Sequence, residues 1–349
     1  MCGVIFGVIL PVGAVWWMTQ LDSTAGRVGV FLLGFVGYPK LVKDSYRGMG
    51  RLPDVSVDPR QDGLAAVAFS PDGTLVATGG ADCTVRIADA RTGEDTGADR
   101  SAPGGWVMAV AFTPDGRSIV TGSADGLAQR WDAATGAELA TMSGHTAPLK
   151  SAAVSPDGRL VATGSIDLTV RLWDAATGEP LAVLTGHSGH VEKVLFSPDG
   201  RTLASAGFDG SVLLWDVPSR TRRATLRGHR AQVMALAYSP DGTTLAAGGL
   251  GGVVRLWDVA TGTLTGSRNP GGRRRVLSLA WGRDVLAIGC ASGIIKLRPA
   301  PGTPDPRFLN TGTRLVNALA FHPDGTTLAA ADGNGHLHLW HNVTTTPAP

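Results

Sequence analysis

Three histidines near the carboxyl terminus, His336, His338 and His341, have a spacing that could ligate a metal ion. On an extended strand the first two would point to the same side. We find no neighbouring carboxylate in the sequence to orient their rings, and histidines on strands more often serve packing. We therefore expect no metal site.

The common catalytic and phosphate-binding motifs are absent from the chain. It has no Walker loop, no Gly-x-Ser-x-Gly, no His-Glu-x-x-His and no kinase His-Arg-Asp or Asp-Phe-Gly. The glycine-rich segment 248–252 precedes no helix, so it is interpreted as a turn and not as a phosphate loop. The sequence therefore predicts a protein that is not an enzyme, with no cofactor and no small-molecule substrate.

Composition narrows the class of protein further. The 31 basic and 29 acidic residues give a net charge of only +2, which is too balanced for a dedicated nucleic-acid-binding protein. Three widely spaced cysteines provide no disulfide framework. The 48 glycines and 21 prolines favour many tight turns over a helix-rich fold.

A turn tetrapeptide that ends in Pro-Asp-Gly recurs along the chain and divides it into repeats. Its aspartates are separated by 43, 42, 42, 42 and 83 residues: Asp72, Asp115, Asp157, Asp199, Asp241 and Asp324. The last interval spans two periods, with a degenerate copy at Trp281–Asp284 between them. The sequence therefore contains seven repeats.

Each repeat reads as four short strands joined by tight turns, and the Pro-Asp-Gly sequence suits a type I turn. A sheet this small cannot bury both faces alone, so neighbouring repeats must stack. Closing the stack radially shields both ends, which predicts a propeller.

Two dipeptides recur at fixed places in these repeats. They are Gly-His at 144–145, 186–187 and 228–229, and Trp-Asp at 131–132, 173–174, 215–216 and 257–258. With the period near 42 residues, they make the segment from Leu52 to Val343 resemble the WD40 repeat family. The resemblance implies an all-β fold, with a seven-bladed propeller over residues 64–343 and a tail at 344–349.

The resemblance also implies a hydrogen-bonded set of His, Ser or Thr, Asp and Trp in a complete blade. Two repeats match it residue by residue: His145, Thr163 (or Ser165), Asp167 and Trp173, and His187, Ser205, Asp209 and Trp215. Because a buried indole or imidazole needs a partner, these residues are interpreted as structural. The departures are Gly251, Ser292 and Asn334 at the aspartate position, and Ala88 and Arg298 at the tryptophan position.

Too few residues follow Trp340 to form a confident fourth strand in the seventh repeat. Residues 51–63 read as a linker that holds one short alternating segment, Val55–Val57. In the family that the chain resembles, an amino-terminal strand completes the last blade. We therefore expect Val55–Val57 to close the ring.

The same resemblance places partner binding on the face formed by the loops before the first strand of each blade and the turns between the second and third strands. The candidate contact residues there are Trp106, Ile166, Phe208, Arg230, Leu250, Arg273, Arg274 and Arg275. Aromatic, aliphatic and arginine side chains are typical of interface hot spots, although scattered surface residues would look the same. One alternative is that Arg273–Arg275 bind anionic lipid or nucleic acid.

A second alternative, an enzyme that uses the central channel, would need convergent titratable groups there. The first-strand residues that the sequence lets us place, such as Val110, Val194 and Leu236, are mostly apolar. They argue against such an enzyme.

The amino-terminal region, residues 1–50, is expected to anchor the protein in a membrane by one or two spans. Met1–Gln20 is uncharged, and as a helix it would reach about 30 Å, the thickness of a bilayer core. A second apolar run, Val28–Tyr38, is shorter. The basic residues that follow (Lys40, Lys43, Arg47 and Arg51) would keep the propeller in the cytoplasm, whereas a soluble scaffold is the alternative.

Overall fold

The fold was derived from a computed structural model, which describes residues 51–57, 63–97, 99–101, 104–268, 274–299, 307–313 and 315–343. The membrane anchor predicted for residues 1–50 and the tail at 344–349 lie outside these ranges. Within them, no helix has the length and apolar character that crossing a membrane requires. The described elements are strands, in agreement with the all-β fold class.

The first strand is β1 (Val55–Val57), after which the strands follow as six groups of four and a last group of three. Blade 1 holds β2 (Leu64–Phe69), β3 (Leu75–Gly80), β4 (Thr84–Asp89) and β5 (Arg100–Ser101). Blade 2 holds β6 (Val107–Phe112), β7 (Ser118–Ser123), β8 (Ala128–Asp132) and β9 (Glu138–Met142). Blade 3 holds β10 (Leu149–Val154), β11 (Leu160–Ser165), β12 (Val170–Asp174) and β13 (Pro180–Leu184).

The second half of the ring repeats this order. Blade 4 holds β14 (Val191–Phe196), β15 (Thr202–Gly207), β16 (Val212–Asp216) and β17 (Thr221–Leu226). Blade 5 holds β18 (Val233–Tyr238), β19 (Thr244–Gly249), β20 (Val254–Asp258) and β21 (Leu264–Arg268). Blade 6 holds β22 (Val276–Trp281), β23 (Val285–Cys290), β24 (Ile294–Pro299) and β25 (Arg307–Asn310). Blade 7 holds β26 (Val316–Phe321), β27 (Leu328–Asp332) and β28 (Leu337–Trp340).

All seven sheets are four-stranded and antiparallel. The first strand of each blade, here called the inner strand, contacts the inner strands of both neighbouring blades, and β2 also contacts β26. These contacts close the ring. The seven-bladed propeller predicted from the repeats is therefore confirmed.

The hydrophobic cores lie between blades. One cluster joins Val120 and Met142 of blade 2 to Val161 and Trp173 of blade 3, all fully buried. The other clusters likewise draw on neighbouring blades. Each blade therefore depends on its neighbours for its core, as the small size of one sheet predicted.

The Pro-Asp-Gly turns have a local cause. Asp157 Oδ1 accepts hydrogen bonds from Ser155 Oγ at 2.6 Å and from the Arg159 backbone N–H at 3.1 Å. Gly158 follows with a φ of 73°, a left-handed conformation that glycine adopts without strain. The same bonds recur around Asp115 and Asp199. The repeated tetrapeptide is therefore a turn that links the first two strands of a blade.

Blade 7 takes its fourth strand from the amino-terminal side of the propeller. β1 pairs antiparallel with β28, with Val55 opposite Leu339 and Val57 opposite Leu337. The backbone N–H of His341 donates to Asp54 Oδ2 at 2.7 Å, which extends the contact. The segment assigned to ring closure thus forms the outermost strand of the last blade.

Candidate functional site: one face and the central channel

The loops before the inner strands and the turns between second and third strands form one face, called here the upper face. In each blade a turn residue donates its backbone N–H to the carbonyl of the residue before the inner strand. Examples are Phe208 to His190 at 2.9 Å and Leu250 to Gln232 at 3.0 Å. This bond fixes the two sets of loops against each other, so the candidate contact residues that the structure describes share one face.

The candidate residues on this face differ in exposure. Trp106 is 58% exposed and Phe208 39% exposed, and the Phe208 ring stacks on His190 with the ring centres 5.2 Å apart. Ile166 and Leu250 are half-buried. They therefore offer less apolar surface than the two aromatic residues.

The arginines add positive charge to the upper face. Arg230, Arg274 and Arg275 are exposed, and Arg274 Nη1 donates to Ser292 Oγ at 2.7 Å. Arg273 lies outside the described residues. Arg230 precedes the inner strand of blade 5, the blade that carries Leu250, and the other two described arginines precede the inner strand of blade 6. Phe208 lies in blade 4, on the other side of blade 5.

Two exposed leucines on the upper face were not predicted from the sequence. Leu168 is 39% exposed and Leu315 is 44% exposed, and both have a left-handed backbone, with φ of 72° and 63°. At the turn position of Leu168 five other blades have glycine: Gly126, Gly210, Gly252, Gly293 and Gly335. Aligning the repeats at this position would have identified Leu168 as unusual.

In the described part of the chain, the distribution of apolar surface separates the two faces of the ring. Four of the exposed large apolar residues lie on the upper face, and the other four lie on outermost strands: Leu139, Val183, Leu264 and Phe308. None lies on the opposite, lower face, which carries the Pro-Asp-Gly turns. The upper face is therefore the face that offers apolar contacts.

The first predicted hydrogen-bonded set is assembled beneath the upper face in blade 3. His145 lies between Asp167 Oδ2, 2.7 Å from Nδ1, and Thr163 Oγ1, 2.7 Å from Nε2. Trp173 Nε1 donates to the same Thr163 oxygen at 2.8 Å. Ser165, the alternative to Thr163, instead donates to the carbonyl of Ala147 at 2.9 Å.

Blade 4 repeats the arrangement. His187 lies 2.9 Å from Asp209 Oδ2 and 2.8 Å from Ser205 Oγ, and Trp215 Nε1 donates to Ser205 Oγ at 2.8 Å. Burial lowers the pKa of His187, and Asp209 only partly opposes this effect. A neutral imidazole that bridges two partners fits a structural role.

Asp167 shows how strongly these bonds hold a carboxylate in its charged form. Burial alone would raise its pKa, but hydrogen bonds from Thr169 and His145 outweigh burial and lower the pKa to about 2. The two polar sets therefore connect the loop before the inner strand to the second and third strands of their blades.

Blade 7 contains a polar network that was not predicted from the sequence. Asp332 is fully buried, and its Oδ2 lies 2.8 Å from His338 Nε2. The hydroxyl of Thr313 and the backbone N–H of His336 also donate to this carboxylate. The expectation that no carboxylate orients these histidines was therefore wrong, because Asp332 comes four residues before His336 and turns toward them.

The three carboxyl-terminal histidines do not converge on one point. His336 and His338 stack, with ring centres 5.8 Å apart, while His341 Nδ1 lies 3.4 Å from Thr327 Oγ1. Across the ranges that the structure describes, no group of three His, Cys, Asp or Glu side chains could hold a metal ion. His338 instead links Asp332 to Ser56 Oγ on β1, 3.0 Å away.

The central channel is lined by both apolar and titratable residues. It encloses a cavity of about 460 Å³, and three titratable residues line it: Lys150, Glu192 and Lys193. Each inner strand has a β-bulge near its start, between Val191 and Lys193 in β14. These titratable residues join the apolar Val110 and Leu236 in the lining, because the bulge turns residues into the channel that strict alternation would place elsewhere.

Comparison with known proteins adds one finding to this geometry. A family model described as "WD domain, G-beta repeat" matches residues 57–89, 99–132, 136–174, 178–216, 220–258 and 307–341, more than half of the chain. A comparison with curated proteins found no similar sequence. The repeat left unmatched contains Arg298 in place of tryptophan and the degenerate turn at Trp281–Asp284.

Proposed function

Because this chain belongs to the WD40 repeat family, we propose that it is a non-catalytic scaffold that binds protein partners through the upper face of its propeller. Propellers of this family commonly bind proteins, and a ring of stacked repeats provides a rigid platform for loops that differ from blade to blade. The proposal concerns which part of this platform makes the contacts.

The observation that carries the proposal is the unequal distribution of apolar surface. Trp106, Leu168, Phe208 and Leu315 are exposed on the upper face, whereas the described part of the lower face exposes no large apolar side chain. Large apolar side chains exposed on one face of a protein are candidates for contacts with a partner. The upper face is therefore the better candidate.

The charges on this face indicate the chemistry of the partner. Arg230, Arg274 and Arg275 are exposed there, and arginine binds carboxylates through several N–H donors at once. Trp106 and Phe208 are of the type that fills apolar pockets in a partner. The expected partner is a protein segment that presents acidic residues next to apolar ones.

Strain at Leu168 supports the same assignment. A left-handed leucine costs about 1 kcal/mol or more relative to glycine, yet its side chain is partly exposed and so gains little from burial. A strained, exposed residue of this kind is explained if its side chain contacts a partner.

The proposal also includes a membrane tether. Its support is the sequence of residues 1–50, with the uncharged segment Met1–Gln20 followed by Lys40, Lys43, Arg47 and Arg51. This orientation would place the propeller in the cytoplasm. Carbonate-resistant fractionation with membranes is the expected result, and complete release by carbonate would contradict the tether.

The binding face is tested by quantitative pull-down with the full chain. Phe208→Ala combined with Arg274→Ala should lower the amount of each specific partner captured at least about tenfold, because both an apolar anchor and a charge are lost. Leu139→Ala combined with Val183→Ala is the matched control, since these residues are similarly exposed but lie on outermost strands.

The pull-down also separates the alternatives. Equal partner lists for the upper-face variant and wild type would overturn the proposal. Loss of captured lipid or nucleic acid alone, with steep salt dependence, would favour the arginine residues as an anion-binding site instead. Leu168→Gly should weaken partner capture without lowering the free energy of unfolding, because glycine relieves the left-handed strain.

A further inference from the structure

One blade departs from the others where the inner strands border the channel. The residue that follows the bulge is alanine or serine in six blades: Ala66, Ala109, Ser151, Ala235, Ser278 and Ala318. In blade 4 this residue is Lys193. A small residue is the rule at this position, so a long cationic side chain here is not required by the packing of the ring.

Lys193 is one of the residues that line the cavity. Its side chain stays accessible from the channel, and among the described residues no carboxylate pairs with it. An ammonium group held in this way is a favourable contact for an anion.

The two carboxylate oxygens of Glu192, the residue before Lys193, have different surroundings. Its side chain is 6% exposed, and Oε2 lies 3.9 Å from Lys150 Nζ. Oε1 is buried, and none of the described residues donates a hydrogen bond to it. A buried carboxylate oxygen without a donor is costly, so a ligand that supplies a donor would be favoured.

Apolar side chains also border the channel. At the bulge position itself, Met108, Met234 and Leu277 border the same cavity. A cavity of about 460 Å³ that combines apolar side chains with a few polar groups is typical of small-molecule sites. Lys150 and Glu192 compensate each other, so the three titratable residues together carry one excess positive charge.

We propose that the central channel binds a small aliphatic carboxylate that carries a hydroxyl or amino group next to its carboxylate. The carboxylate pairs with Lys193 Nζ, the neighbouring hydroxyl or amino group donates to Glu192 Oε1, and the aliphatic chain packs on Met108, Met234 and Leu277. This site goes beyond the proposed scaffold function, and it departs from the expectation of no small-molecule ligand.

Calorimetric titration of the full chain with three probes tests the site. We expect 2-hydroxyhexanoate to bind more tightly than hexanoate, and hexylamine not to bind. Lys193→Ala should weaken both acids at least about tenfold, the equivalent of one charge-assisted hydrogen bond. Glu192→Met should abolish the preference for the hydroxy acid.

The variants are chosen so that the fold is kept. Alanine occupies the position of Lys193 in four other blades, and methionine occupies that of Glu192 in two. Arg159→Ala, which removes an exposed positive charge from a lower-face turn, is the control and should bind like wild type. Thermal unfolding confirms that each variant is folded.

Three outcomes would contradict the proposed channel site. Failure of both acids to bind the folded wild type, equal binding by Lys193→Ala, or binding of hexylamine would each exclude it. Because partner capture by the upper face is measured separately, failure of the channel site leaves the proposed scaffold function standing.

Discussion

At the scale of single residues, polar side chains in this protein connect loops to strands. Thr163 illustrates this role, because its one hydroxyl meets both His145 and the indole N–H of Trp173. Removing any member leaves another buried polar group without its partner. The repeated Trp-Asp and Gly-His dipeptides therefore stabilise the fold, and functional residues are expected where the blades differ.

The first prediction concerns Trp173, which is fully buried. Trp173→Ala should lower the free energy of unfolding by about 3 to 5 kcal/mol through the cavity it leaves, and Trp173→Phe by about 1 to 2 kcal/mol. Urea unfolding measures both changes. Trp106→Ala, an exposed control, should change it by less than about 0.5 kcal/mol. A loss below about 1 kcal/mol for Trp173→Ala would contradict the assignment.

The second prediction concerns pH. His229 in blade 5 has Gly251 where blades 3 and 4 have the aspartate that pairs with histidine, and burial together with Arg255 lowers its pKa to about 4. Below its ordinary value of 6.5 the unfolded chain takes up a proton that the folded chain does not. Stability contributed by the neutral ring is therefore lost as the pH falls from 6.5 to 4.

His229→Gln tests this prediction. Between pH 7.5 and 5 the variant should lose less of its free energy of unfolding than wild type, by roughly 1 to 2 kcal/mol after allowance for solvent screening. Equal losses in the two proteins would show that His229 does not carry the effect.

At the scale of elements, the ring is closed by hydrogen bonds between segments far apart in sequence. β1 joins β28, and the carbonyl of Arg51 accepts from Trp340 Nε1 at 3.2 Å. Because every other blade is built from consecutive strands, blade 7 is where the two ends of the propeller meet. Opening this blade would remove the mutual support of blades 1 and 7.

The third prediction concerns this closure. Deleting residues 52–57 should lower the melting temperature by more than about 5 °C, because blade 7 then lacks its outermost strand and β28 becomes an uncovered edge. Ser56→Ala removes only the contact with His338 and should have a much smaller effect. An unchanged melting curve after the deletion would show that β1 does not support the ring.

How far the sequence specified these elements depended on how regular each one is. The 42-residue period and the Trp-Asp motifs predicted the seven blades, because each blade needs the same turns and the same buried partners. Lys193 and Glu192 were missed because the bulge in β14 breaks the alternation of side chains. Asp332 was missed because it lies on the second strand, outside the turn where the family's aspartate is found.

At the scale of the whole molecule, the propeller presents two different faces and a channel. The lower face consists of repeated polar turns, and the upper face carries loops that vary between blades. Stability depends on what the blades share, so the variable residues are free to determine binding. Trp106, Phe208 and the exposed arginines are such residues, and so is Lys193 within the channel.

The most direct test of the binding face is site-specific photo-cross-linking in cells that contain the native partners. A benzophenone amino acid placed at Phe208 should give covalent adducts with a specific protein, and the same group at Val183, on an outermost strand, should not. Phe208 and Val183 are both exposed, so accessibility alone would not distinguish them. Adducts at Val183 but none at Phe208 would contradict the upper face as the binding surface.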